Sequence, residues 1–351
     1  MTTTSHLDTH YADTLDEAID QFLREHDWVD AQRSSLPQDC SERYYIRLQK
    51  NSESRLLMVD PPPSSKLPQY MTVSNLLTES GFRSPHIFAH DGQHLALIED
   101  FGDMTFTKWI SHGSPLEPLY HAGLDILVKL RKTFTQCVPS IGIYSTKTYL
   151  KELEIFPKWY YPSLMGKELE ENAYKDLCNL FFQAIIIATE GVPHTVALRD
   201  FHIDNMMILG CTPSINHCGL LDFQDALNGP CAYDLTSLLQ DSRSPISDDF
   251  INEMMALYFA KCDLSPQEID KETTAYHTLG AQRNIKNLGV FARMFCLKDK
   301  PLYLNFIPRL WENIDTNLNH PLMSEVRRWM DEYIPRSHRH MPLIKLAEIP
   351  K

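Results

Sequence analysis

Positive charge, long apolar runs, paired cysteines and a glycine-rich phosphate turn are all scarce or missing in this 351-residue chain. Its 33 Lys and Arg stand against 46 Asp and Glu, a formal charge of −13. That balance argues against nucleic acid as a partner, because binding a phosphate backbone needs a surplus of cations. The most apolar run, Leu180 to Ala188, is interrupted by Gln183. It falls well short of the roughly 20 residues that span a bilayer, so no membrane partner is expected. The opening MTTTSHLDTHYADT has no basic start followed by an apolar stretch, so no export signal is visible and a cytoplasmic location is expected. Eight cysteines are scattered without a C-x-x-C pair; Cys211, Cys218 and Cys231 lie too far apart for a zinc site and read as structural, reduced thiols. No G-x-G-x-x-G occurs anywhere.

What is present is ordinary globular composition, 43% hydrophobic and 23% charged. At roughly 150 residues per domain the length suggests about two domains. Residues 1–12 read as a loose tail, and Thr14-Leu15-Asp16-Glu17 reads as a capping box opening an amphipathic helix through Leu23. Strands are expected at 44–48, 55–59 and 94–98, the second stopped by Pro61-Pro62-Pro63, with a helix over about 68–80 ending at Gly81. After Glu99-Asp100-Phe101-Gly102-Asp103 the pattern turns helical, at 119–130, 169–188, 246–262, 266–295 and 321–333. Two short apolar runs, 206–209 and 218–223, predict a hairpin within that helical part. The expectation is an α+β chain: a small strand-rich lobe over 1–103 and a larger helical lobe over 104–351.

The chemistry-bearing stretch is Leu198-Arg199-Asp200-Phe201-His202-Ile203-Asp204-Asn205, followed by Leu221-Asp222-Phe223-Gln224-Asp225. Phosphoryl transfer from ATP to an alcohol needs a carboxylate to orient the hydroxyl and accept its proton. It also needs oxygen ligands for magnesium, a hard ion that suits Asp and Asn. Asp200, Asn205 five residues later, and Asp222 supply these groups in the order R-D-x-x-x-x-N then D-F-Q.

These segments resemble the aminoglycoside phosphotransferase and choline kinase superfamily, whose fold is bilobal and protein-kinase-like. Its members carry H-x-D-x-H-x-x-N and then I-D-[FW]-x-x-A; here Asp200, His202, Asn205, Asp222, Phe223 and Ala226 match, and Leu198 replaces the first histidine. ELEIFPKWYYPSLMG at 152–166, LLDFQDALNGPCAYDLTSLLQDSR at 220–243, QRNIKNLGVFARM at 282–294 and LIEDFGD at 97–103 are similar to the bacterial 1-kinases of cell-wall recycling. Those enzymes phosphorylate N-acetylmuramate and N-acetylglucosamine at the anomeric hydroxyl. The resemblance implies Asp200 as catalytic base, with Arg199 beside it and His202 supporting the loop. It implies Asn205 and Asp222 as magnesium ligands, and Asp234 as a buried structural acid. Residues 99–103, Glu99 and Phe101 among them, would face adenine, while Trp159, Tyr160 and Arg283 would serve the sugar.

The first lobe departs from the general kinase plan. Leu36-Pro37-Gln38-Asp39-Cys40-Ser41-Glu42-Arg43 stands where a glycine-rich turn would cover phosphates, and LLMVDPPP where a strand lysine would reach them. Arg43 or Arg47 is the expected replacement. Two other functions stay in competition: a kinase for another small alcohol, choline- or aminoglycoside-like, and a nucleotide-binding module without catalysis. A protein kinase is disfavoured, since no A-P-E segment separates Asp222 from Asp234.

Overall fold

A computed structural model describes residues 6–37, 42–63, 65–244 and 246–346, with side chains from Leu15 onward. The expected phosphate turn at Gln38 to Ser41 lies outside the described residues. The chain divides into two compact units, residues up to 104 with 219–225, and residues 105–218 with 226 onward. The sequence boundary at 103/104 therefore needs one correction: the Asp222 segment, assigned to the helical part by its position in the chain, packs with the first unit.

The first unit is built on a five-stranded antiparallel sheet in the order β1-β2-β3-β5-β4. Its strands are β1 (Gln32–Ser35), β2 (Tyr44–Lys50), β3 (Glu53–Val59), β4 (Ile87–His90) and β5 (Leu95–Glu99). β2 and β3 meet at Lys50↔Glu53, leaving a two-residue turn whose Asn51 takes φ +55°, a conformation Asn tolerates. β1 escapes sequence reading because all four of its residues are exposed and give no apolar alternation. Helix α1 (His6–Glu25) starts well before Thr14, so residues 6–12 are helical and the capping-box signal falls inside the helix. In the sequence Leu7 and Tyr11 already stand at helical spacing ahead of Leu15, so the pattern runs through Thr14 rather than starting there. Ile19, Phe22 and Leu23 of α1 bury against Leu48, Leu57, Val59, Leu95 and Leu97 of the sheet, at about 1.5–3 kcal/mol per large side chain. α2 (Leu67–Glu79) turns Tyr70 onto Phe223, ring centroids 4.9 Å apart, and Leu220 donates its N–H to the Arg83 carbonyl at 2.8 Å. These two contacts attach segment 219–225 to the first unit.

The second unit is helical: α3 (Phe106–Ser111), α4 (Glu117–Thr133), α5 (Thr146–Leu153), α6 (Tyr161–Met165) and α7 (Glu171–Thr189) precede its short strands. β6 (His194–Ala197) pairs antiparallel with β9 (Leu227–Pro230), from His194↔Pro230 to Ala197↔Leu227. Between them lie β7 (Met206–Ile208) and β8 (Cys218–Leu220), the chain reversing where Leu209 donates its N–H to the His217 carbonyl at 2.8 Å. β8 stops at Leu220 rather than Phe223 because Asp222 adopts φ +56°, outside strand geometry. α8 (Ala232–Leu239), α9 (Asp248–Cys262), α10 (Pro266–Lys298), α11 (Ile307–Asn317) and α12 (Ser324–Tyr333) complete the unit. α10, at 33 residues and about 50 Å, is its central rod, opened by a capping box at Ser265 and Glu268. No helix among the described residues is long and apolar enough to cross a membrane.

Gly289 shows how tightly that rod is packed. A Cβ there would stand 2.6 Å from the Ile155 carbonyl carbon and oxygen and 2.7 Å from the Phe156 nitrogen, at the start of a π-helical turn over 156–160. These are backbone atoms, which cannot swing aside as a side-chain tip does. Gly289→Ala is expected to destabilise the chain by about 2–3 kcal/mol, read as a lowered urea midpoint with an unchanged slope. An unchanged midpoint would mean that the two backbones separate freely.

Candidate active site

β6 delivers the chain into Leu198-Arg199-Asp200, and β9 delivers it into α8, whose first turn carries Asp234. The paired strands thus set Asp234 against the loop that follows β6. Its carboxylate accepts the Leu198 N–H at 2.6 Å and the Arg199 N–H at 2.8 Å, so this buried acid braces the loop's backbone. Burial pushes the Asp234 carboxyl up to about 6, against the two N–H bonds that favour its anion.

Arg199 needs that bracing, because it sits at φ +73°, in the left-handed region that costs a non-glycine residue about 1–2 kcal/mol. Its carbonyl accepts from Arg283 Nη1 at 3.0 Å and Ser237 Oγ at 3.4 Å. Its guanidinium pairs with Glu152 and lies over the Tyr144 ring at 4.9 Å. The backbone just before Asp200 is therefore held by α8 and α10, and the Arg199 side chain by α5.

Asp200 follows with its side chain 42% exposed, open to a substrate while ringed by charge. Arg283 Nη1 is 3.8 Å from its Oδ1. Burial would raise the carboxyl's pKa, but Arg283 and then Lys286 outweigh burial and hold it at about 2. Asp200 is thus an anion at any physiological pH.

Asn205 closes the loop. Its amide nitrogen donates to the Asp200 carbonyl at 2.9 Å and lies 3.2 Å from His202 Nε2, which leaves the amide oxygen to accept a hydrogen bond or to ligate a cation. His202 is buried, with no hydrogen-bond partner for Nδ1 among the described residues. Burial and then Arg243 depress it to about 4, so it is a neutral supporting imidazole rather than a charged one.

In the first unit a chain of polar contacts orients Asp222. Gln224 Nε2 donates to its Oδ1 at 2.8 Å, Arg43 Nη1 donates to Gln224 Oε1 at 2.9 Å, and Arg43 Nε lies 3.4 Å from Asp60 Oδ1. Asp60, just past the end of β3, also accepts the Lys66 N–H at 2.5 Å. Arg47 is committed to the segment after β5: Nε to Asp100 at 2.7 Å, and Nη2 to Asp103 at 3.0 Å and the Gly102 carbonyl at 3.3 Å. Glu99 pairs with Arg83 at 2.8 Å, and Phe101 lies under the same guanidinium at 5.1 Å. Taken separately, Asp222 in the first unit offers a carboxylate and Asn205 in the second an amide oxygen, and each donor type suits a hard cation such as magnesium.

The sugar-pocket residues divide. Arg283 stands beside Asp200, as above. Tyr160 does not: it is fully buried in the second unit's core, and its hydroxyl accepts from Trp311 Nε1 at 2.7 Å, which removes it from a ligand surface. Trp159 is half-buried and packs on the same core. Sequence reading missed Glu152, Lys286 and Tyr233. Tyr233 accepts from Arg283 at 3.4 Å and Lys286 at 3.5 Å, and Lys286 Nζ is 3.6 Å from Glu152. A signal existed, since Lys286 follows Arg283 by three residues on a helix and so shares its face.

Residues 32–269 match the profile of the phosphotransferase enzyme family. Among curated proteins the chain is similar to the N-acetylmuramate/N-acetylglucosamine kinase of Caulobacter vibrioides, 28% identical over 90% of this chain and 95% of that one. The Pseudomonas aeruginosa protein of the same name is also 28% identical, over 86% of this chain and 89% of its own. Among solved structures, the GDP complex of aminoglycoside 2'-phosphotransferase-IIIa matches with a TM-score of 0.60 at 13% identity, covering 86% of this chain and 98% of that one. That last likeness is one of fold.

Proposed function

Starting from a chain that belongs to the phosphotransferase enzyme family, we propose that it is an ATP- and magnesium-dependent kinase acting on the anomeric hydroxyl of an N-acetyl amino sugar. The observation that carries this reading is the setting of Asp200: a half-exposed carboxylate on a braced loop, held as an anion by Arg283 and then Lys286. A choline or aminoglycoside site must neutralise a cation and needs a surplus of acids. Arg199 and Lys286 both pair with Glu152 and Arg283 pairs with Asp200, so this side of Asp200 is rich in cations, which favours a neutral or anionic acceptor. The curated relatives named above point to the same sugars.

In this mechanism Asp200 accepts a hydrogen bond from the acceptor hydroxyl and aims its oxygen at the phosphoryl group. A carboxylate held near 2 is a weak base, so it takes the proton late, as the new P–O bond forms, and works mainly by orientation. Asn205 and Asp222 are the proposed magnesium ligands, and the bound ion would offset phosphate charge. Asp234 and Arg283 hold the loop backbone, and His202 stays neutral behind it. Arg43 would act through Gln224 on Asp222, while residues 99–103, kept in place by Arg47, would face the nucleotide base.

The test is ATP consumption with magnesium against N-acetylmuramate, N-acetylglucosamine, choline and kanamycin, with products identified by phosphorus NMR. A sugar 1-phosphate is expected. Phosphocholine or phosphokanamycin as the main product would replace this reading with another small-alcohol kinase, and nucleotide binding without turnover would leave only a binding module.

A further inference from the structure

The Asn205 amide is not free to turn over. The Asp200 carbonyl at 2.9 Å requires an N–H, so the amide nitrogen faces it and the oxygen faces away. The same nitrogen lies 3.2 Å from His202 Nε2, which must then accept, so a neutral His202 carries its proton on Nδ1. That Nδ1 is buried and has no hydrogen-bond partner among the described residues. Asp241, two residues past α8, has the complementary gap. Its side chain is 1% exposed, and its Oδ1 accepts the Arg243 backbone N–H at 3.2 Å and Nε at 2.8 Å. Its Oδ2 has no partner among the described residues. Arg243 ties this acid to the catalytic loop, since the same Nε is 3.6 Å from Asp204, the residue before Asn205. Asp204 in turn accepts from the Thr107 hydroxyl of α3. Burial would raise the Asp241 carboxyl, but Arg243 and then His202 outweigh burial and hold it below its usual value. A buried N–H without an acceptor and a buried anion with a spare oxygen are each unfavourable alone, and each supplies what the other lacks.

We propose that Asp241 is a positioning residue for the cation site: its carboxylate draws the His202 proton to Nδ1, which frees Nε2 to hold the Asn205 amide nitrogen and keeps the amide oxygen turned away from the loop. A neutral imidazole can carry its proton on either nitrogen; on Nε2 that proton would face the Asn205 N–H, two donors in opposition, and the amide would swing away. Asp241 acts through His202 and Asn205 and touches neither cation nor acceptor. The consequence for magnesium rests on the kinase reading above; the hold on His202 does not.

The test uses the full chain with histidine labelled at the ring nitrogens, the His202 signals being identified by their loss in His202→Gln. NMR should place the proton on Nδ1 in the parent and show a population on Nε2 in Asp241→Asn. Metal binding is read separately, with manganese(II) and ADP as the probe and electron paramagnetic resonance as the readout. Manganese affinity should fall about tenfold in Asp241→Asn, while metal-free ADP affinity changes by less than about threefold. Turnover lost at low magnesium should largely return at saturating magnesium, a split that a folding defect does not produce. A parent protonated at Nε2 overturns the proposal, as does an Asp241→Asn variant that keeps the parental tautomer or binds manganese within about threefold of the parent. If Asp241→Asn does not fold, Arg243→Gln unfastens the same carboxylate: both shifts at smaller size support the proposal, and the absence of either refutes it. If the parent binds neither ADP nor manganese, the kinase reading fails separately, and the ring nitrogens alone decide whether Asp241 holds His202.

Discussion

Asp200→Asn is expected to lower kcat by about 10²- to 10⁴-fold while nucleotide affinity changes by less than about threefold. The amide keeps the shape of the side chain but can no longer accept the proton or hold the hydroxyl as an anion does. Because Asp200 is held at about 2, below its ordinary 3.8, the sign of its pH dependence is fixed. The competent form is fully populated above about pH 4 and is lost only as pH falls through about 2. No acidic limb belonging to this residue should appear in kcat/KM between pH 5 and 8, in the parent chain or in variants elsewhere. Turnover in Asp200→Asn within tenfold of the parent would remove the residue from its role, and an acid limb near pH 6 that disappears in this variant would contradict its electrostatic setting.

Asp234→Ala should be nearly as damaging, by a different route. It leaves the Leu198 and Arg199 N–H groups without an acceptor, at about 1–3 kcal/mol each. It also frees Arg199 from the left-handed conformation that those bonds enforce. The expected results are a stability loss of about 2–5 kcal/mol in urea melts and a kcat reduced at least 100-fold, since Asp200 is the next residue along. Asp234→Asn, which keeps one acceptor, should recover part of both. The charge carries its own signature. The folded-state carboxyl lies at about 6, above its ordinary 3.8, so the folded chain binds the extra proton between those values. This contribution to stability is complete below about pH 4 and is lost as pH rises through 6, and Asp234→Asn should abolish that slope. A variant that keeps parental stability and turnover would show that the loop stands without its brace.

The sequence by itself determined the class of chemistry. The proposed roles of Asp200, Asn205 and Asp222 rest on an acid, an amide and an acid in the order and spacing that phosphoryl transfer calls for, and spacing is a property of the chain. The long helices were legible for the same reason, since the apolar stripes of α4, α7 and α10 repeat locally. Segments without a local signature were not. β1 has no apolar alternation, β6 and β9 are four residues each, and α1 extends past a cap signal that reads equally well as a helix start. Tyr160 shows the limit for side chains: an aromatic in a quoted motif reads alike as sugar platform or core, and only Trp311, 151 residues away, decides for core. Arg43 or Arg47 read as the phosphate contact, and only the tertiary structure shows that Arg47 pairs with Asp100 and Asp103. The tertiary structure alone decided which unit holds Asp222 and which acid braces the left-handed Arg199. It alone brought Glu152, Tyr233 and Lys286 around Arg199 and Arg283. Charge compensation and backbone bracing act across distances in space between residues remote in the chain, so no local pattern encodes them.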